Sequence, residues 1–195
     1  MWIACDSYGL ARLNQGVFTH FSDSDGLPSN QTRCLLEARD GSLWIGSEGG
    51  LTRYKDGKFI TFTEKNGLGN NAVRAICEDA QGAIRVATMR GLSTLSKQGE
   101  ISTLNFGIGT TTNSLKSACL DRLGNVWVAS NEGLVCEGQT GRVFYGIAEG
   151  LPDKVATVIC QDHQGLIWVG TYSLSGGRKR HFQADERGRV WGSGQ

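Results

Sequence analysis

Asp40-Gly41-Ser42-Leu43-Trp44-Ile45-Gly46-Ser47 sets a tryptophan between two aliphatic residues, with a glycine three places before it and a small residue two places after it. The same frame returns along the chain. Trp2, Trp44, Trp127 and Trp168 are separated by 42, 83 and 41 residues, and Arg85, in Ile84-Arg85-Val86, stands where the double interval lacks its tryptophan. Leu43, Ile84, Val126 and Ile167 precede this position, and Ile3, Ile45, Val86, Val128 and Val169 follow it. Two places after it come only Ala4, Gly46, Ala87, Ala129 and Gly170; three places before it stand Gly41, Gly82, Gly124 and Gly165. A Gly-Leu pair closes four of the five frames (Gly9-Leu10, Gly50-Leu51, Gly91-Leu92, Gly133-Leu134), and a second one, with Leu27, Leu68 and Leu151, begins those of Trp44, Arg85 and Trp168. Self-similarity at a fixed period of 41–42 residues is the signature of a repeat architecture.

Each unit reads as four short strands. In the second copy they are 32–37, 42–47, 51–54 and 58–63, with Arg39-Asp40-Gly41 and Lys55-Asp56-Gly57 as turns between them. The tryptophan strand is apolar on both faces, whereas a sheet with one wet face alternates apolar and polar residues. Both faces are therefore covered by other sheets. Four-stranded units of this length, stacked face to face, are β-propeller blades. A small residue beside each tryptophan suits close approach between blades. Composition agrees: Gly is 28 and Pro 2 in 195 residues, and glycines spread along the chain disfavour long helices. The expected fold class is all-β, with four-stranded antiparallel blades forming an incomplete or truncated propeller.

The stretch Gly26-Leu27-Pro28-Ser29-Asn30, followed by 40–47 and by Gly49-Gly50-Leu51-Thr52-Arg53-Tyr54, resembles the two-component regulator propeller repeat. The copy from Glu149-Gly150-Leu151-Pro152 through Gly165-Leu166-Ile167-Trp168-Val169-Gly170-Thr171 resembles it too, and the resemblance covers about residues 1–171. It implies an extracytoplasmic, periplasmic sensor part of a bacterial signalling protein, non-catalytic in itself. Such propellers are followed by a membrane helix and a histidine kinase or diguanylate cyclase. It also implies an extracytoplasmic ligand, with saccharides a common cue. The alternatives are a generic protein–protein interaction propeller without signalling output and a propeller lyase or hydrolase. A downstream membrane helix and output module would separate the first two. The third needs non-repeating polar residues converging on a central channel, and the sequence offers no such set.

The last part departs from the repeat. Asp185 to Trp191 repeats the Asp-x-x-Gly-x-apolar-Trp frame of Asp162 to Trp168, but after 23 residues instead of 41. The expected organisation is blades over 1–171, around Trp2, Trp44, Arg85, Trp127 and Trp168, and a truncated partial blade over 172–195 around Trp191. The unit around Trp168 is expected to lose its third and fourth strands, and the first unit begins at its second strand. Apolar blade faces left bare predict self-association.

Lys plus Arg is 20 against 19 for Asp plus Glu, which gives no electrostatic reason to expect a nucleic-acid partner. No apolar run is long enough for a membrane span, and residues 1–6 do not read as a signal peptide. Cys77, Cys119 and Cys160 lie eight places before the tryptophan position, where the second copy has Leu36. They read as free core thiols, because facing sheets lie too far apart for a disulfide. Asp79, Asp121, Asp162 and Asp185 read as caps of their own turns, and Asp23-Ser24-Asp25-Gly26 as a plain turn that lacks the glutamate of a calcium loop. No cofactor or metal site is expected.

Recognition is expected on the rim that carries the loops between second and third strands. These loops vary from copy to copy: Asp6 and Tyr8, then Glu48, then Met89 and Arg90, then Asn131 and Glu132, then Tyr172. Varied side chains on a rigid scaffold are where specificity is usually placed.

Overall fold

The structure, a computed structural model, describes residues 1–105, 114–138 and 141–172, and the backbone of 180–184 and 190–192. It forms two compact units, Met1–Asn105 and Phe106–Gln195. Both are built from antiparallel sheets in which strands follow one another in chain order.

In the first unit, β1 (Trp2–Cys5), β2 (Gly9–Asn14) and β3 (Val17–Phe21) make a three-stranded sheet. Two four-stranded sheets follow: β4 (Thr32–Glu37), β5 (Leu43–Ser47), β6 (Gly50–Lys55) and β7 (Lys58–Phe62), then β8 (Val73–Glu78), β9 (Ile84–Thr88), β10 (Gly91–Leu95) and β11 (Ile101–Leu104). The four strands read from the second copy of the repeat are found within one or two residues of their expected ends.

The two-faced tryptophan strand does what its pattern requires. Leu43 and Ile45 pack with Leu10, Trp2 and Phe21 of the first sheet. Trp44 points the other way, into Val73, Ile76, Ile84 and Val86 of the third sheet. The middle sheet is thus covered on both sides. Gly46 explains the small residue beside the tryptophan: a Cβ there would lie 2.6 Å from Val73 Cγ1 of the neighbouring sheet. Packing between neighbouring sheets is closest at their first strands, β4 against β8. The blades therefore converge on their first strands.

The second unit repeats the plan with β12 (Leu115–Leu120), β13 (Val126–Ser130), β14 (Leu134–Gly138) and β15 (Gly141–Tyr145), then β16 (Ala156–Gln161), β17 (Ile167–Thr171), β18 (Arg180–Ala184) and β19 (Val190–Gly192). Trp127 packs against Ile159, Ile167 and Val169 of the next sheet, with Cys119 and Cys136 beside it.

Three expectations are corrected here. The unit around Trp168 does not lack its outer strands, because β18 pairs with β17 and β19 pairs with β18 to complete a four-stranded sheet. A strand edge presents unpaired N–H and C=O groups, and the next extended segment satisfies them whatever its sequence frame. Trp168 is only half-buried, unlike Trp44 and Trp127, which are 6% and 2% exposed. Cys160 is exposed rather than core. Ile159 and Val169 face the preceding sheet, so Cys160 and Trp168 face the opposite side, which no described sheet covers. All six cysteines are free, and Cys77 is buried as expected. Asp185 lies outside the described residues.

The segments that enter each first strand are held by their leucines. Leu27, Leu68 and Leu151 are 4%, 4% and 2% exposed. Truncating such a residue costs about 2–5 kcal/mol. Just before the first two, residues 23–25 and 64–66 form single 3-10 turns. In the first, Asp25 accepts the Ser22 backbone N–H at 2.8 Å, so the Asp-Ser-Asp-Gly stretch is a self-capped turn.

Candidate functional site

A hydroxyl at the end of each second strand fixes the loop that follows. Ser47, Thr88 and Ser130 donate to the carbonyls of Gly50, Gly91 and Gly133 at 3.1, 2.8 and 2.9 Å. The same oxygens accept the backbone N–H groups of Gly49, Arg90 and Glu132. Each loop closes on a glycine that no other residue can replace: Gly50 has φ +140°, and a Cβ there would sit 2.5 Å from the Phe62 carbonyl oxygen. Glu48, Met89, Arg90, Asn131 and Glu132 therefore project from rigid turns. Cys5 takes the hydroxyl's place in the first sheet, where Thr32 substitutes for it. The Thr32 hydroxyl accepts the Cys5 N–H at 2.8 Å and donates to the Gly9 carbonyl at 2.5 Å.

The same rim carries residues that the repeat reading missed. Every first strand has a β-bulge, between Thr32 and Cys34, Val73 and Ala75, Leu115 and Ser117, and Ala156 and Val158. The residue left out of the ladder is Arg33, Arg74, Lys116 and Thr157 in turn. A bulge re-aims the side chain of its extra residue, and three of these four are cations. Their sequence signal is a basic residue eleven places before the tryptophan position in three successive units.

In the first unit the bulge cations join the predicted loop residues. Arg33 bonds Asp6 at 3.1 Å and Glu48 Oε1 at 3.0 Å. Arg74 donates to the same Glu48 oxygen, and its other Nη lies 3.3 Å from Met89 Sδ. Asp6, Glu48 and Met89, from three successive sheets, are thereby linked through Arg33 and Arg74. Tyr8 is 78% exposed and stands apart from this chain, and the exposed Arg90 side chain has no partner among the described residues. In the second unit Glu132 lies 3.8 Å from Lys154. Asn131 is half-buried, and Tyr172 is 46% exposed. Within the first unit the linked Asp6, Arg33, Glu48 and Arg74 offer charged hydrogen-bonding groups of both signs, suited to binding a polar ligand.

The opposite rim is structural. Asp79, Asp121 and Asp162 each accept two backbone N–H groups of their own turns through Oδ1. Of the histidines, His163 lies exposed in one of these turns and His20 lies in β3. Among the described residues no helix is long and apolar enough to cross a membrane.

Residues 26–49 and 150–173 match the two component regulator propeller family. These stretches are two-component regulator propeller repeats. No curated protein matches the chain. Among solved structures, the extracellular domain of a protein ascribed to a hybrid two component system of B. thetaiotaomicron superposes with a TM-score of 0.76 at 23% identity, over 87% of this chain and 25% of that one. A second B. thetaiotaomicron extracellular domain, ascribed to a one component system, gives 0.75 at 20% identity, over 100% and 29%. Virginiamycin B lyase from Staphylococcus aureus gives 0.79 at 16% identity, over 98% and 64%. The chain spans roughly a quarter of the length of the two extracellular domains. At these identities the likeness concerns the fold, and the fold is that of a β-propeller.

Proposed function

We propose that the chain is a non-catalytic sensor propeller of a bacterial two-component-type signalling protein, located outside the cytoplasm. Its ligand would bind on the rim of second-to-third-strand loops. The observation that carries the reading is the pair of regulator-propeller repeats at 26–49 and 150–173. The chain of Asp6, Arg33, Glu48 and Arg74 supports the choice of rim, because it places fixed charged groups across three sheets. An oligosaccharide is the ligand class we favour: donors and acceptors of the first unit's rim complement hydroxyl groups, and exposed Tyr8 offers a face for a sugar ring.

The test is a glycan array probed with the 195-residue chain, followed by calorimetry on each positive. Arg74→Met and Tyr8→Ala should each weaken a bound oligosaccharide at least about tenfold, the loss expected for a charge-assisted hydrogen bond or a stacked ring. Binding that survives both changes, but is lost on Gln81→Ala or Gln164→Ala at the other rim, would reverse the assignment.

A lyase is the second reading, and the likeness to virginiamycin B lyase favours it. One solved form of that enzyme is a catalytically inactive histidine variant with quinupristin. Incubating the chain with quinupristin and following its mass and cleavage chromatographically separates the two readings. Turnover would establish the lyase.

A further inference from the structure

Six places before the tryptophan position the repeat has Asp79, Asp121 and Asp162, but the second copy, around Trp44, has Ala38. The aspartate has two tasks. Its Oδ1 caps the turn, and its Oδ2 accepts the N–H of the residue at the tryptophan position: Trp127 at 2.8 Å, Trp168 at 2.7 Å, and Arg85 Nε at 3.0 Å. In the second copy Asp40 takes over the first task, accepting the Ser42 backbone N–H at 2.9 Å. Nothing takes over the second. Trp44 is 6% exposed, and its indole N–H, which solvent still reaches, makes no hydrogen bond to the described residues.

A cavity of about 290 Å³ opens where the carboxylate is missing. This is near the lower end of small-molecule pockets. Phe62, Ile60, Ile84 and Leu95 give it apolar walls beside the Trp44 ring. Of the carboxylates at its edge, Asp40 is fully engaged and Glu78 is engaged through Oε2. Asp40 accepts from the Ser42 hydroxyl, Arg53 and Lys55, and Glu78 accepts the Arg39 backbone N–H at 2.9 Å. Lys97 also lines the cavity and has no carboxylate partner among the described residues. Two donors are left at the cavity, the neutral Trp44 N–H and the cationic Lys97, with Glu78 Oε1 beside the lysine as the remaining acceptor.

We propose that this cavity binds a small carboxylic acid with an apolar body, its carboxylate replacing the aspartate that the second copy of the repeat lacks. The carboxylate accepts the Trp44 N–H as Asp121 accepts that of Trp127, and Lys97 supplies the countercharge. The ring or chain of the acid lies against Phe62, Ile84 and Leu95. This site is on the opposite rim from the recognition surface proposed above and does not depend on it.

The probe is 3-phenylpropionate, titrated into the 195-residue chain labelled with ¹⁵N-tryptophan. The indole N–H resonance of Trp44 should move saturably, while those of Trp127 and Trp168 stay in place. Ala38→Asp restores the repeat's own acceptor and should weaken binding at least about tenfold, as should Lys97→Met. The uncharged 3-phenylpropanamide should bind the parent chain at least about tenfold more weakly than the acid. Retention of the Trp2 resonance, which belongs to the same unit, at its parent position certifies the fold of each variant. Three outcomes overturn the proposal: no movement of Trp44, undiminished binding in folded Ala38→Asp, or equal affinity for acid and amide. A Lys97→Met variant that binds like the parent overturns the role of the lysine.

Discussion

Asp121 Oδ2 accepts the indole N–H of Trp127 at 2.8 Å, across a turn whose backbone its Oδ1 also caps. One carboxylate thus ties the first-to-second-strand turn to the largest side chain of the blade core. Trp127 is 2% exposed and Asp121 5%. Asp121→Ala leaves a buried N–H and two turn N–H groups without their acceptor, and an unsatisfied buried group costs about 1–3 kcal/mol. The expected loss in urea unfolding is about 2–4 kcal/mol. Asp121→Asn keeps one acceptor and should lose less. Equal stability of the alanine variant and the parent would show that the bond contributes nothing.

The pH dependence follows from related carboxylates. The Trp168 N–H, helped by the backbone N–H groups of Leu166 and Gln164, holds the Asp162 carboxyl below its ordinary value of 3.8. Asp40 is lowered as well, chiefly by the Ser42 hydroxyl, with Lys55 and Arg53 adding to it. A carboxylate whose folded pKa lies below its unfolded one stabilises the fold above the unfolded value. That contribution disappears as the pH falls through the folded one. Melting temperature should therefore hold from neutral pH to about 4 and drop below it. The drop should be shallower in Asp162→Asn. A melting temperature that rises on acidification below this range would reverse the sign.

The legible part of the fold is the part fixed by side-chain period. Leu43, Trp44 and Ile45 announce a strand with two covered faces, and β4 to β7 lie where the turns at Asp40-Gly41 and Asp56-Gly57 place them. Arg33 and Arg74 were hidden because a bulge is a change of backbone register. The basic residue eleven places before the tryptophan position recurs in three copies, but a residue type alone does not say that the backbone bulges there. The frame around Trp191 misled for a different reason. Edge pairing accepts any extended segment, so β18 and β19 completed a sheet that the repeat frame would have ended. Among the candidate residues of the proposed rim, Asp6, Glu48 and Met89 were legible as variable loop positions. What joins them lies one strand away and was not.

Thiol chemistry should sort the cysteines by burial. Cys34, Cys77 and Cys136 are pushed up to about 12, in each case first by burial. The thiolate is the reactive form, so these three should stay unmodified by Ellman's reagent at pH 8 until denaturant is added. Exposed Cys160 should react in the first, fast phase. A raised thiol pKa also carries a sign for stability. The contribution is full below the unfolded value of 9.0 and fades as the pH rises toward about 12. Mass spectrometry of the labelled peptides checks the order. Early labelling of Cys77 would show that its sheet opens readily.

Self-association is the last expectation, and the face of β16 and β17 is where we place it. Val158 is 52% exposed, Cys160 is exposed, and Trp168 opposite Cys160 is only half-buried. In the preceding sheet the corresponding residues, Cys119 and Trp127, are covered by Ile159, Ile167 and Val169. An apolar patch of this kind favours contact with a surface of the same type, and a second copy of the chain carries one in its own strand faces. Sedimentation velocity over a hundredfold concentration range should show a reversible shift to larger species. Val158→Lys should suppress it, because bringing two such lysines into a dry interface opposes association. The substitution should leave stability within about 0.5 kcal/mol, as is usual at an exposed position. A parent chain that stays monomeric across the range, or a Val158→Lys chain that associates as the parent does, would place any contact elsewhere.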